Sequence, residues 1–237
     1  MDALSRTRLL IGKDNVEKIK NLRVAVFGLG GVGSFVVEAL VRSGVCNIAV
    51  FDNDTVSESN VNRQIVATVD TIGKDKTEVI KERILSINPD AKVSLKKIFY
   101  LPETADTVDL SEFDYIVDAV DTVSAKIELI VRAKAQGIPI ISCMGTGGKT
   151  DPTRLKVTDI YKTTGCPLAK VMRHELRERK IEGLKVVFSD EPFILCRQEI
   201  SDEGKKGNGR PVPSSMIFVP ATAGIIIARE VIFDCIK

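Results

Sequence analysis

The sequence has no C-x-x-C pair: its five cysteines, Cys46, Cys143, Cys166, Cys196 and Cys235, stand apart. That spacing excludes a structural zinc site of the usual kind and offers no disulfide framework. Histidine is almost absent. The single one, His174, lies among Lys170, Arg173, Arg177 and Lys180, so it reads as part of a solvated basic face and is assigned no catalytic role. The amino terminus, M-D-A-L-S-R-T-R, lacks a secretory apolar core, and no internal repeat is present. The most apolar late stretch, Ala221 to Ile236, is interrupted by Arg229, Glu230 and Asp234 and is too short to span a bilayer, so it reads as a packed helix. A net charge of +2 gives no bulk electrostatic argument for nucleic acid, and any RNA contact must come from local clustering. These absences lead us to expect a protein of the reducing cytoplasm with no membrane attachment.

What is present points to an α/β protein. At 237 residues, 44% apolar and 28% charged, the chain can bury a sizeable core in one domain. Strand and helix patterns alternate: strands over 22–28, 48–52, 92–98, 113–118 and 139–144, and helices over 33–43, 74–86 and 123–136. This pattern predicts a doubly wound, mostly parallel, Rossmann-like sheet. Residues 1–145 form the expected nucleotide-binding core, and 146–237 an elaborated substrate-side region with strands over 155–159, 184–188 and 215–219. Residues 201–213, which contain G-N-G-R-P-V-P, read as a mobile loop.

Within the first half, R-V-A-V-F-G-L-G-G-V-G runs from Arg23 to Gly33, and a second apolar run ends at Asp52. Strand, Gly28-x-Gly30-x-x-Gly33 turn, helix, strand and carboxylate make a nucleotide-binding start. Gly28, Gly30, Gly31 and Gly33 let the backbone approach the nucleotide, and the helix amino terminus points at it. The turn alone does not choose a reaction. Just beyond Asp52, Ser59 to Gln64 reads S-N-V-N-R-Q. A redox enzyme holding a dinucleotide has no need for an Asn, Arg and Gln cluster there, whereas an enzyme neutralising a triphosphate during nucleotidyl transfer does. The residues therefore point to ATP.

The order of motifs carries a resemblance. The glycine loop, Asp52, Asn60-Val61-Asn62-Arg63-Gln64, Gly73-Lys74-Asp75-Lys76 and Asp118-Ala119-Val120-Asp121 follow one another as in the ubiquitin-activating (ThiF/MoeB/HesA-type) adenylating superfamily. Gly145 to Thr163 and the segment from Pro167, P-L-A-K-V-M-R-H-E-L, are similar to the tRNA threonylcarbamoyladenosine dehydratases. The resemblance implies ATP-dependent cyclodehydration of threonylcarbamoyladenosine in tRNA. It implies that Asp52, with Asp54 beside it, binds the ribose end of ATP. It also implies that Asn60, Arg63, Gln64 and Lys76 contact phosphates and that Asp121 holds Mg²⁺, with Arg63, Lys76 and Asp121 catalytic. It implies a homodimer in which Arg6 or Arg8 reaches the partner's phosphates, and a cysteine-desulfurase-type sulfur-transfer partner. The alternative within the same superfamily is adenylation of the Gly-Gly end of a ubiquitin-like sulfur carrier. Those relatives commonly carry two C-x-x-C pairs, which this chain lacks. Cys166 stands where the dehydratases usually have Asp, and we read it as an unremarkable small residue.

One further segment is amphipathic. Over 167–179, Leu168, Val171, Met172 and Leu176 make an apolar stripe, and Lys170, Arg173, His174 and Arg177 line the other side. With Lys162, the residues Lys170, Arg173 and Arg177 are the candidates for tRNA phosphates.

Overall fold

The computed structural model describes residues 2–194 and 214–236. Its frame is a seven-stranded sheet of β1 (Arg23–Phe27), β2 (Asn47–Phe51), β3 (Lys92–Lys96), β4 (Tyr115–Asp118), β5 (Ile140–Cys143), β6 (Leu155–Asp159) and β7 (Lys185–Ser189). The spatial order is β3-β2-β1-β4-β5-β7-β6; β6 runs antiparallel to β7, and every other pairing is parallel. This is the doubly wound, mostly parallel sheet expected from the alternating pattern. Strands buried on both faces need apolar residues at every position, and β4 and β5 are buried throughout. Successive side chains serve different cores: Val24 and Val26 face one, Ala25 and Phe27 the other.

Seven helices surround the sheet among the described residues: α1 (Ser5–Ile11), α2 (Lys13–Asn21), α3 (Gly33–Ser43), α4 (Lys76–Ile87), α5 (Val123–Ala135), α6 (Pro167–Glu178) and α7 (Phe218–Cys235). Ile19 of α2, Val36, Val37 and Leu40 of α3, Ile80 and Ile84 of α4 and Ile227 and Val231 of α7 fill one core. Leu129 and Ile130 of α5 and Ala169, Met172 and Leu176 of α6 fill the other, with Phe27 stacked on Phe51 at 4.0 Å between centroids. The chain order reverses between β1 and β4, since β2 and β3 extend to one side and β5 to the other. In such sheets a crevice opens outside the carboxyl ends of the strands at this switch point.

Three expectations change. Residues 215–219 are not a strand: α7 begins at Phe218. Apolar Met216, Ile217, Phe218 and Val219 suit a strand by composition, but Pro220 sits in the first helical turn, where its missing N–H breaks no bond. Val171 is 45% exposed and leaves the apolar stripe of α6, which Ala169 joins. Helices α1 and α2 were not expected, because α1 buries no residue and α2 only Val16 and Ile19. The loop expected over 201–213 lies outside the described residues. Among those described, no helix is long and apolar enough to cross a membrane.

The closest helix packing is that of α3 on α7. A Cβ on Gly224 would lie 2.5 Å from the Val32 carbonyl oxygen and 2.9 Å from the Phe35 Cβ. Alanine favours a helix over glycine by about 1 kcal/mol, yet here the backbone would have to move apart. Gly224→Ala is expected to lose a net ~1–3 kcal/mol, read as a fall of several degrees in Tm. A rise in Tm would show that helical propensity outweighs the close packing.

Candidate functional site

The switch point holds a cavity of about 930 Å³. Its walls come from chain segments that follow strands: Gly28, Gly30 and Gly31 after β1, Asp52 and Asp54 after β2, and Asp121 after β4, with Gly145 and Thr146 beyond β5. Asn60, Arg63 and Gln64, and Lys76 at the start of α4, complete the same wall. The predicted nucleotide residues therefore converge, with one exception. Gly33 is not on the cavity wall. A Cβ on Gly33 would stand 1.8 Å from the Gly28 carbonyl oxygen, so its task is to let α3 close on β1. Gly28 adopts φ +88°, and a Cβ there would lie 2.7 Å from the Ala119 carbonyl oxygen.

The charged groups are held before any ligand arrives. Asp52 accepts from the Leu29 amide at 2.6 Å and the Asp54 amide at 2.8 Å, which ties it to the glycine loop. Burial pushes its carboxyl above the ordinary Asp value, against the opposing pull of Lys76 and those two amides. Lys76 is 4% exposed and pairs with Asp54 at 2.8 Å. Arg63 donates through one Nη to the Ser59 carbonyl at 2.7 Å and to Asn62 Oδ1 at 2.9 Å. Burial lowers its pKa, which marks a guanidinium partly withdrawn from water. Its aliphatic stem lies beside Gly31. Asn60 is buried and accepts from the Ser57 amide, closing a short 3-10 turn. Gln64 is also buried, and its side-chain oxygen has no hydrogen-bond partner among the described residues. An orphaned acceptor beside a cavity is the kind of group a ligand or ordered water satisfies.

Asp121 is exposed at the cavity rim, where Thr122 donates to it at 3.3 Å. Asp118, three residues earlier, is fully buried and faces Lys126 and Ser142. Among the described residues no cluster of three or more His, Cys, Asp or Glu could enclose a metal ion. Mg²⁺ needs only one or two protein carboxylates when phosphates supply its other oxygens. The carboxylates on this wall fit an ion that arrives with a triphosphate.

The other end of the cavity is lined by Lys149, Cys166, Leu168, Phe193 and Ser215. Lys149 is 3% exposed and donates to the carbonyls of Ser189 at 3.2 Å and Glu191 at 2.5 Å. Glu191 in return accepts from the Thr150 and Asp151 amides, so the two loops clasp each other. Cys166 is buried at the N-cap of α6. Burial pushes the neighbouring Cys143 thiol up to about 12, so it is not a thiolate nucleophile at neutral pH.

The basic residues lie outside the cavity. Lys162, Lys170 and Arg177 are exposed, and Arg177 stacks over the Tyr161 ring at 5.1 Å. Arg173 is half-buried and donates through one Nη to the Thr163 carbonyl and hydroxyl at 2.9 and 2.5 Å, where it braces the start of α6.

With this geometry in place, the relatives can be compared. The family model described as the ThiF family matches residues 4–232. The chain belongs to the ThiF family. A tRNA threonylcarbamoyladenosine dehydratase of Bacillus subtilis is 45% identical to this ThiF-family chain over 239 residues, covering 98% of this chain and 94% of that protein. The crystal structure of the Escherichia coli tRNA N6-threonylcarbamoyladenosine dehydratase TcdA in complex with AMP is similar at a TM-score of 0.87 and 31% identity, over 97% of this chain and 92% of that one. The same protein in complex with ATP matches at a TM-score of 0.86 and 31% identity, over 98% and 93%.

Sequence reasoning missed several residues of this ThiF-family site. Phe99, Tyr100, Lys149 and Phe193 line the cavity, yet none carries a spacing signal that separates it from an ordinary core or surface residue. Lys149 lies within the segment from Gly145 to Thr163, to which the resemblance gives no role for it. Only the fold shows that its ammonium is buried.

Two glycines separate packing from ligand access. A Cβ on Gly30 meets nothing within 4 Å, because it would enter the cavity. Gly30→Ala is expected to keep the wild-type Tm and to weaken ATP binding about tenfold or more, whereas Gly33→Ala should lower Tm steeply by forcing α3 from β1. Calorimetric ATP titration and thermal melts read both outcomes. Unchanged ATP affinity in Gly30→Ala would place the nucleotide elsewhere.

Proposed function

We propose that this chain is an ATP-dependent dehydratase that closes the threonylcarbamoyl group of adenosine in tRNA into a ring. The observation that carries the reading is the cavity at the strand switch point. There the glycine loop, Arg63, Lys76 and Asp121 share one wall in a chain 45% identical, along nearly its whole length, to a protein named for that activity. Residues 1–145 supply the nucleotide side. Residues 146–237 supply the substrate side and, together with α1, the contacts between subunits.

A carboxylate is a poor electrophile because its charge is spread over both oxygens, so the reaction begins by activating it. A threonyl carboxylate oxygen attacks the α-phosphorus of ATP, the bond to the β-phosphate oxygen breaks, and pyrophosphate leaves. Both partners are anionic, which makes fixed positive charge at the phosphates the main requirement. Arg63 and Lys76 provide it from the wall, while the glycine loop presents backbone amides at the amino terminus of α3. Asp52 accepts ribose hydroxyls, with Asp54 holding Lys76 in place. Asp121 is the residue that would hold Mg²⁺, which would add positive charge at the phosphates where negative charge develops. The carbamoyl group then attacks the acyl carbon, loses its proton, and AMP departs with the carboxylate oxygen. Ring closure is intramolecular, so no covalent enzyme intermediate is needed. The burial of Cys143 and the lack of any C-x-x-C agree with that.

The RNA side follows from α6. Its first residues, Cys166 to Leu168, line the cavity, and the helix then carries Lys170 and Arg177 outward across exposed surface. tRNA phosphates crossing this face would bring the modified base to the cavity mouth. A homodimer is supported by α1, which buries none of its residues and leaves Leu9 at 87% and Leu10 at 82% exposure. Arg8 pairs with Asp2 at 2.9 Å, and Arg6 is exposed on the same helix, available to a second copy.

The decisive experiment incubates the enzyme with ATP and threonylcarbamoylated tRNA and weighs the released nucleosides. The expected result is loss of one water with AMP release, abolished by Asp121→Ala at an unchanged circular dichroism spectrum. AMP release that depends on a small protein ending in Gly-Gly, with no change in the tRNA, would sink the proposal in favour of a sulfur-carrier adenylase. Reversing charge at Lys162, Lys170 and Arg177 should weaken tRNA binding and make its salt dependence shallower, by about 0.7–0.9 in log–log slope per lost phosphate contact. ATP affinity should stay constant. An unaltered slope would remove α6 from the RNA interface.

A further inference from the structure

Behind the cavity wall lies a polar cluster that takes no part in the chemistry described. Lys126, in the second turn of α5, and Asp118, the last residue of β4, are both 0% exposed and pair at 3.0 Å. Ser142 of β5, also fully buried, donates to Asp118 Oδ2 at 2.5 Å. A buried ion pair is weak evidence for stability, because apolar residues of similar volume often serve as well or better. Its value lies in what else it holds. Lys126 Nζ donates to the Val120 carbonyl oxygen at 3.1 Å, and Asp118 Oδ1 accepts from the Val120 amide at 3.3 Å. Both peptide groups of Val120 are thus gripped by the pair. The carbonyl held by Lys126 belongs to the peptide unit that contains the Asp121 nitrogen, so the pair fixes the plane from which Asp121 departs. On the other side of the same turn, the Ala119 carbonyl is packed so tightly against Gly28 that no Cβ fits between them.

We infer that Lys126 and Asp118 are positioning residues: through the Val120 peptide groups they hold Asp121 at the set distance from the glycine loop that a metal–triphosphate complex requires. The inference rests on the reading of Asp121 as the metal-holding carboxylate. Asp121 sits on an exposed turn, and the backbone of that turn sets where its side chain begins. A buried charge pair is suited to this task because it is directional. A hydrogen bond to a charged group is more costly to leave unmade than a neutral one, so the turn is held in one geometry. Displacement of a reacting or coordinating group by about 1 Å can cost roughly a hundredfold in rate. The pair has no net charge, so it orients Asp121 without opposing the anionic ligand.

The test removes both charges together. The double variant Lys126→Met, Asp118→Asn keeps the volume and leaves no unpaired buried ion, and its fold is checked by circular dichroism and thermal melting. Calorimetry then compares ATP affinity with and without Mg²⁺, and Mn²⁺ electron paramagnetic resonance reports the bound ion. The expected result is an unchanged metal-free ATP affinity, a metal-dependent gain in affinity reduced by about tenfold or more, and a lower kcat with an unaltered KM for tRNA. Ser142→Ala, which removes one donor to Asp118, should shift the same quantities in the same direction by less, and it serves if the double variant does not fold. A folded variant with the wild-type metal-dependent gain overturns the inference. Asp121→Ala separates the two failures. If it too keeps the wild-type gain, the metal reading of Asp121 is at fault; if it abolishes the gain while the double variant does not, only the positioning role falls.

Discussion

Two backbone contacts that no side chain could share hold the site together. The chain leaving β1 passes so near the chain leaving β4 that Gly28 abuts the Ala119 carbonyl, and α3 folds back so tightly that Gly33 abuts the Gly28 carbonyl. The cavity exists because these segments approach each other without Cβ atoms between them. Asp52 reaches the Leu29 amide, and Asp121 lines the same cavity as the glycine loop, only while this spacing is kept. The apolar strands behind the turns supply the rigidity. Val26 and Phe27 of β1 are paired on both sides in a parallel sheet and buried on both faces, so the turn is built on the least yielding part of the molecule.

Charge around the cavity is arranged with little freedom. Lys76 is committed to Asp54, Arg63 to the Ser59 carbonyl, and Asp52 to two amides. On the proposed reading, a phosphate that enters does not have to order these groups from solution, and it competes with partners that are neutral carbonyls or an exposed carboxylate. Exchange of a weak partner for a strongly anionic one favours the state in which negative charge is greatest. That is the condition for stabilising a transition state over a ground state. Partial burial strengthens the effect, since Arg63 and Asp52 both show the mark of lost hydration.

The legible features were those encoded in neighbouring residues. The strands could be read because parallel strands demand apolar runs, and α3 and the glycine turn because helix spacing and glycine spacing are local. Asn60, Arg63, Gln64, Lys76 and Asp121 could be read because their order along the chain is itself a pattern. What could not be read depends on the fold. The start of α7 was mistaken for a strand because β-branched and aromatic residues at 217–219 suit both states, and only packing against α3 decides. Lys126 and Lys149 look like surface lysines until the sheet places Asp118 beside one and the Ser189 and Glu191 carbonyls beside the other. Arg173 looked like a solvated cation until Thr163 was found within its reach.

The place of α7 bears on how the protein is made. Pro220, in its first turn, lies against Gly31, and the helix covers α3 through Gly224, so the glycine loop is flanked by a segment nearly two hundred residues downstream. A nascent chain that has exposed everything through Asp121 carries all the recognisable nucleotide motifs but not this wall. At about 5–20 residues per second, roughly 5–20 s of translation separate the emergence of Asp121 from that of Phe218. During that interval the part of α3 that packs on α7 is uncovered, and the half-made sheet is open to chaperones and to other chains. The nucleotide motifs are thus complete in sequence well before the cavity is complete in space.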